Sequence, residues 1–141
     1  AGVGLFSLAL AHKTRKAVLV EESLPSVKLA KHNIDYNRLT HMEVMTGRVE
    51  DTLPDLLARE NFAMPKVAII DPPRAGLSPR ALDTLVHAKE FTHLFYLSCN
   101  PEALARDLNG FIGHGWKVEK IMPFDFFPKT RHVETLVLLT P

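Results

Sequence analysis

The sequence predicts an α/β protein built on a mostly parallel sheet whose last strand runs antiparallel. Three observations carry that expectation. Short apolar runs of strand length alternate with stretches that place apolar residues at helical spacing. A glycine-containing turn, AGVG, leads straight into a helix-like pattern. At the other end two strand-like runs, WKVEKIMPFD and HVETLVLLT, follow one another with only a loop between them, so the last must turn back on its neighbour.

The elements follow in order. KAVLVE (Lys16 to Glu21) is a short apolar run that ends in an acid, and LPSVKLAKHNIDYNRL then sets Leu24, Val27, Ala30, Ile34 and Leu39 close to helical spacing. HMEVMTG reads as a strand stopped by Gly47, and DTLPDLLAREN as a short helix with a proline near its start. KVAIID (Lys66 to Asp71) is a buried strand. Ser78 and Pro79 open SPRALDTLVHAKE as N-cap and first helical residue. THLFYLS is another buried strand, with PEALARDLNGFI as its helix. Repeats, low-complexity segments and linkers are not visible, and 141 residues suit one domain with a real core.

Composition narrows the class. Apolar residues make up 46% and charged residues 23%, the usual balance of a globular protein. The net charge of +1 gives no electrostatic case for nucleic acid, so such a reading must rest on motifs. A single cysteine, Cys99, can make no internal disulfide and cannot alone hold zinc or an iron–sulfur cluster, which makes a cytoplasmic setting the default. No run approaches the roughly 20 apolar residues of a membrane helix, and no signal peptide is visible. The seven histidines lack ligand spacing, so no metal site is expected.

The topology locates the polar residues. Ligands of open α/β sheets bind outside the carboxyl ends of the strands. Glu21, Asp71 and Cys99 each sit at or just after such an end. The reversed last strand should begin on the same rim, which brings Glu134 towards Cys99 across 35 positions. Gly2 and Gly4 have the form of a turn that lets a nucleotide approach the backbone, and Glu21, 17 residues after Gly4, suits a ribose diol. A tight turn and a solvated strand-end acid are the plainer readings. DPPRAGL (Asp71 to Leu77) fixes a stiff, extended wall beside Asp71. A lone thiol is ordinarily a buried structural cysteine. Asn-Pro after Cys99 and His-Val-Glu downstream favour a nucleophile instead.

Together these segments resemble one family, the S-adenosylmethionine-dependent RNA (uracil-5-)methyltransferases, over essentially all 141 residues. GVGLFSLALA is similar to the family's cofactor loop, DPPRAGL to its fourth motif, SCNPEALARDL to its nucleophile motif and DFFPKTRHVE to its closing motif. The resemblance implies a Rossmann-like class I methyltransferase fold, S-adenosyl-L-methionine as cofactor, and uridine in tRNA or rRNA as substrate. It assigns Cys99 as nucleophile and Glu134 as base. It places Gly2, Val3, Gly4 and Leu5 in the cofactor loop, Glu21 on the cofactor ribose and Asp71 at the cofactor. It also departs from the family. The family's first strand is absent before Ala1, as is an upstream glutamine that touches the cofactor. Arg48 stands where relatives place Asp or Asn near the adenine, and the RNA-binding module and cluster-binding cysteines are missing. The expectation is therefore a catalytic domain over residues 1–141 that forms the C-terminal part of a longer protein.

The chemistry asks for these residue types. C5 of uracil is a poor nucleophile, and a thiolate adding to C6 gives C5 carbanion character. A base must then take the C5 proton so that the thiolate can leave. Lys129, Arg131, Arg74 and Arg80 are candidates to meet phosphate, and His132 to touch substrate. Phe124, Phe126 and Phe127 are either core or a stacking surface for a flipped base. Trp116 and Tyr96 read as core. Three other readings stay open: a methyltransferase acting on an exocyclic amine, a dinucleotide-binding oxidoreductase, and a catalytically silent RNA-binding module.

Overall fold

Alternation of strand and helix organises the chain in the computed structural model, which describes residues 1–59, 65–126, 128–130 and 133–141. The helices are α1 (Leu5–Ala9), α2 (Leu24–Tyr36), α3 (Val49–Arg59), α4 (Pro79–His87) and α5 (Pro101–Gly113). The strands are β1 (Ala17–Glu21), β2 (Met42–Thr46), β3 (Val67–Ile70), β4 (His93–Ser98), β5 (Lys117–Phe124) and β6 (Glu134–Thr140). Two compact units result, Ala1–Phe62 and Ala63–Pro141.

In the first unit β1 and β2 pair in parallel, with Glu21 opposite Thr46. Ala11, Leu19, Ala30, Ile34 and Met42 form its core, with Leu8 and Leu39 packed against them. Some boundaries differ from the sequence pattern. The opening helix α1 is only Leu5–Ala9, followed by a 3-10 turn at Ala11–Lys13, and it buries none of its own residues. Helix α2 stops at Tyr36 because Arg38 turns left-handed (φ 55), which lets the Leu39 N–H bond the Ile34 carbonyl at 3.0 Å. Leu39 still reaches the core, but from the turn. Helix α3 begins at Val49, two residues before the expected start, so Pro54 lies in its second turn.

The second unit is a four-stranded sheet in the order β3-β4-β6-β5. β3 and β4 are parallel, and β6 runs antiparallel to both of its neighbours. Ser78 caps α4 by accepting from the Ala81 N–H at 3.1 Å, and Asn100 caps α5 by accepting from Glu102 N–H at 3.1 Å. One sheet face carries Leu94, Tyr96, Val137 and Leu139, all fully buried. With them are Phe111 of α5 and Trp116, whose ring edge meets the Phe111 ring at 5.5 Å and whose indole N–H donates to the Val86 carbonyl at 2.8 Å. Trp116 and Tyr96 are core, as the sequence suggests.

The Tyr96 hydroxyl has a second task. It donates at 2.6 Å to Asp107, a fully buried carboxylate on α5. Burial, reinforced by that neighbouring carboxylate, pushes the Tyr96 phenol far above its ordinary range, so it stays a donor. Asp107 also accepts the Leu77 N–H at 2.8 Å and two bonds from the Arg106 guanidinium, at 3.0 and 2.7 Å. Arg106 reaches on to the Ala75 carbonyl at 2.8 Å. Gly76, buried inside this cluster, has φ +80, and a Cβ there would stand 2.5 Å from Arg106 Nη2 and 2.6 Å from Asp107 Oδ2. The segment after β3 is thus held down by α5, and only glycine fits under the clamp.

Asp107→Ala would leave a buried hydroxyl and a backbone N–H without their acceptor, at a cost of about 3 kcal/mol. Tyr96→Phe removes one hydrogen bond and should cost about 1 kcal/mol. Urea unfolding of both variants checks this ordering; equal losses would mean that the carboxylate is not the hub.

Candidate active site

Cys99 follows the last residue of β4, and the turn it occupies is pinned on both sides. The Ser98 hydroxyl accepts the Asn100 N–H at 3.1 Å and donates to the Asn100 carbonyl at 3.0 Å. The Asn100 side chain caps α5 with its oxygen, while its nitrogen donates to the Arg74 carbonyl at 2.9 Å. Each residue of Ser-Cys-Asn-Pro therefore has a local reason. Serine closes the turn, asparagine caps the helix and ties down the Asp71–Leu77 segment, and Pro101 starts the helix. Cys99, a free and half-buried thiol, does none of this structural work.

Glu134 opens β6. The β4–β6 register runs from Leu94 opposite Leu139 to Ser98 opposite Thr135. Cys99 and Glu134 each lie one residue beyond that last pair, at the same end of β4 and β6. The β5–β6 register sets Phe124 against Glu134 on the other side. Residues opposite one another in an antiparallel pair share a face, with Cβ atoms about 4.5–5.5 Å apart. Phe124 and Glu134 thus share a face of the β5–β6 pair, the one opposite Val137 and Leu139, because alternate residues point to opposite sides. Cys99 follows β4 at the same end of the sheet.

Asp71 directly follows β3, at the same end of the parallel pair as Cys99. It is exposed as a residue, yet partial desolvation of its carboxyl raises its pKa above the ordinary value. Arg131, His132 and Phe127 lie outside the described residues.

The other sequence-predicted residues belong to the first unit. Gly2 and Gly4 both have left-handed backbone, φ 58 and 91. A Cβ at Gly4 would press on Leu19 at 3.0 Å, whereas nothing lies within 4 Å of the corresponding position at Gly2. Gly4 is needed for packing, and Gly2 leaves an open space against bare backbone. The Val3 carbonyl accepts from Asn33 Nδ2 at 3.1 Å, and Leu5 is exposed.

Glu21 closes β1 and folds back over the glycine turn. Its Oε2 accepts from the Gly2 N–H at 2.7 Å and from the Ala1 amino group at 2.9 Å, and its Oε1 from the Ser23 N–H at 2.8 Å. Burial alone would raise its pKa, but the bonds from the amino group, Ser23 and Gly2 together hold the carboxyl at about 2. Of about four lone-pair positions on a carboxylate, three are taken, which leaves one open for a hydroxyl. Arg48 donates to Glu22 Oε2 at 3.0 Å, so this cation is paired with the acid next to Glu21. A shallow cleft of about 320 Å³ lined by Arg15, Lys16, Thr40, His41, Met42 and Glu43 lies at the opposite end of β1 and β2.

Sequence reasoning found the strand-end residues but missed Asn100, Arg106 and Asp107 as the groups that hold them. The Ala-Arg-Asp run was visible, but its target was not, because Leu77 and Ala75 lie about thirty residues away.

The Glu21 carboxyl has a pKa of about 2 when folded, below the ordinary 4.5. Its stabilisation is therefore complete above pH 4.5 and disappears as pH falls through 2. Comparing urea midpoints of the native chain and Glu21→Gln across that window measures it, and a parallel decline in both would remove Glu21 as the cause.

A sequence profile described as tRNA (uracil-5-)-methyltransferase matches residues 1–141. An RNA methyltransferase of Gloeobacter violaceus, not itself characterised, is 36% identical over 138 residues, 98% of this chain and 28% of its own length. A similarly named protein of Synechocystis is 37% identical over 144 residues, 99% of this chain and 29% of its own. The chain thus spans about three-tenths of the length of these curated relatives. A Streptococcus pneumoniae protein named for tRNA (m1A22) methylation, solved in complex with S-adenosyl-L-methionine, superposes with a TM-score of 0.73 at 11% identity, covering 98% of this chain and 61% of that one. The fold is the Rossmann-like fold of class I methyltransferases, and by its full-length profile match the chain belongs to the tRNA (uracil-5-)-methyltransferase family.

Proposed function

We infer that this domain methylates C5 of a uridine in RNA, with Cys99 as nucleophile and Glu134 as base. The observation that supports the reading is that Cys99 follows β4 and Glu134 opens β6 at the same end of one antiparallel pair, each next to Ser98 opposite Thr135. Membership of the family supplies the reaction class.

The residues of the first unit suit S-adenosyl-L-methionine. Gly2 offers backbone with open space beside it, and Glu21 keeps one acceptor position free for a ribose hydroxyl. Gly4, Val3 and Leu5 complete the turn, and Asp71 is the further cofactor residue implied by the family. When bound, the cofactor supplies an electrophilic methyl group. In the protein's part of the reaction, the Cys99 thiolate forms a bond to C6 of uracil, and the ring π electrons move towards C5 and the C4 oxygen. Once C5 carries the methyl group, the Glu134 carboxylate removes the remaining C5 proton. The C5–H electron pair then restores the C5=C6 double bond and expels the thiolate. Cysteine suits the task because it adds readily and leaves again. Asn100 holds the Cys99 turn and the Asp71–Leu77 segment in a fixed relation during both steps. A free thiol at the end of β4, at the same end of the sheet as Glu134, favours this reading over exocyclic-amine methylation, which would need no thiol.

The test uses the full-length protein and labelled RNA on denaturing gels. Cys99→Ala should abolish both methyl transfer and any covalent protein–RNA complex. Glu134→Gln should still add and transfer but stall before elimination, accumulating methylated RNA bound to protein. Normal turnover by Glu134→Gln, or methylation by Cys99→Ala, would reject the mechanism.

Glu21→Ala, again in the full-length protein, should weaken S-adenosyl-L-methionine binding by about 1.5–3 kcal/mol, as expected for a charged acceptor. Titration calorimetry reads this directly, and unchanged affinity would take Glu21 out of the cofactor site.

A further inference from the structure

At the end of β5, Phe124 and Phe126 stack face to face, ring centroids 5.4 Å apart and planes 12° from parallel. Neither ring is hidden: Phe124 is 37% exposed and Phe126 61%. Exposed aromatic surface has a cost in water, and a stacked pair at a strand end contributes little to a core. Their position is specific. Phe124 lies opposite Glu134 on β6, and Cys99 follows the neighbouring β4 at the same end, so the pair stands beside the proposed catalytic residues. Adjacent strands are about 4.8 Å apart, which puts the Phe124 backbone about 10 Å from that of Cys99. That is too far to cover a ring bonded to the thiol, and close enough to receive the base beside it.

The surroundings suit a nucleic-acid strand. The two rings stand two residues apart in the chain, at and just beyond the end of β5. Exposed Lys120 lies on the Phe124 face of β5, and exposed Lys129 follows in the loop, so cations flank the platform on both sides in sequence. A flat neutral aromatic surface bordered by cations is the combination that binds single-stranded RNA, rings against bases and cations near phosphates.

We propose that the Phe124–Phe126 stack is a platform for a nucleobase of single-stranded RNA, the neighbour of the uridine presented to Cys99 and Glu134. This deepens the uracil-methylating reading and rests on it. Phe126 supplies the more open ring and takes the base, and Phe124 braces it from behind.

The test measures equilibrium binding to full-length protein carrying Cys99→Ala, so that no adduct contributes. The probes are a short oligouridylate and an abasic ribose-phosphate oligomer of the same length and charge. Adding Phe126→Ala should weaken oligouridylate binding about 5- to 150-fold, the range of aromatic–base stacking. Binding of the abasic oligomer should not change. Phe126→Tyr should restore the preference for bases and Phe126→Leu should not, and Phe124→Ala should produce a smaller loss in the same direction. Equal weakening of both probes, or of neither, would overturn the proposal. So would a loss of self-association in sedimentation with no change in RNA binding, since the platform would then belong to a second copy of the chain. Covalent trapping with Cys99 intact separates the two readings. If adducts form while the base preference is absent, only the platform falls; if Cys99→Ala still methylates, the catalytic reading falls.

Discussion

The antiparallel register of β6 against β4 is the constraint on which the candidate site depends. A strand has a side-chain period of two, so a slip of one residue would send every side chain of β6 to the opposite face. The register is held from the inside. Val137 and Leu139 are fully buried opposite Tyr96 and Leu94, and no slipped pairing keeps those four together. Core packing therefore decides which face of the sheet Glu134 occupies.

A second constraint acts on the segment after β3. Asp107 is fully buried and satisfied by a phenol, a backbone N–H and a guanidinium, which suits a carboxylate far from water. Arg106 and Asn100 extend the same hold to Ala75 and Arg74. Helix α5 thus serves two motifs at once: its cap frames Cys99, and its first turns pin the segment that begins with Asp71. Preorganisation of this kind lowers the reorganisation needed during reaction.

The carboxylates of the two units are treated in opposite ways. Glu21 is surrounded by N–H donors and driven down to about 2, which keeps it a permanent acceptor. Asp71 has its carboxyl partly desolvated, and its pKa rises. An acceptor for hydroxyls needs the first environment. The chain accounts for about three-tenths of the length of its curated relatives, so these local environments describe the methyltransferase-fold part of such proteins.

Much of the fold was legible in the sequence because its signals are local. Apolar runs and helical spacing marked all six strands and the helices α2 to α5; Ser78, followed by proline, stood where a cap belongs. Strand ends carrying Glu21, Asp71 and Cys99 could be recognised from the same pattern, and two successive strands at the end implied the reversal of β6. The helix ends of α1 and α2 were not legible, since a left-handed Arg38 and a change to 3-10 geometry leave no mark on apolar spacing. Nor was the division of the strands into sheets of two and four, or the pairing of Phe124 with Glu134. Least legible of all was the Tyr96–Asp107–Leu77 hub. The sequence by itself determined which elements form and which reactive residues end them, because propensity and periodicity act over a few neighbours. Tertiary structure alone decided which distant groups face one another, because a buried hydrogen-bonding group takes its partner from the chain packed against it, whatever the separation in sequence.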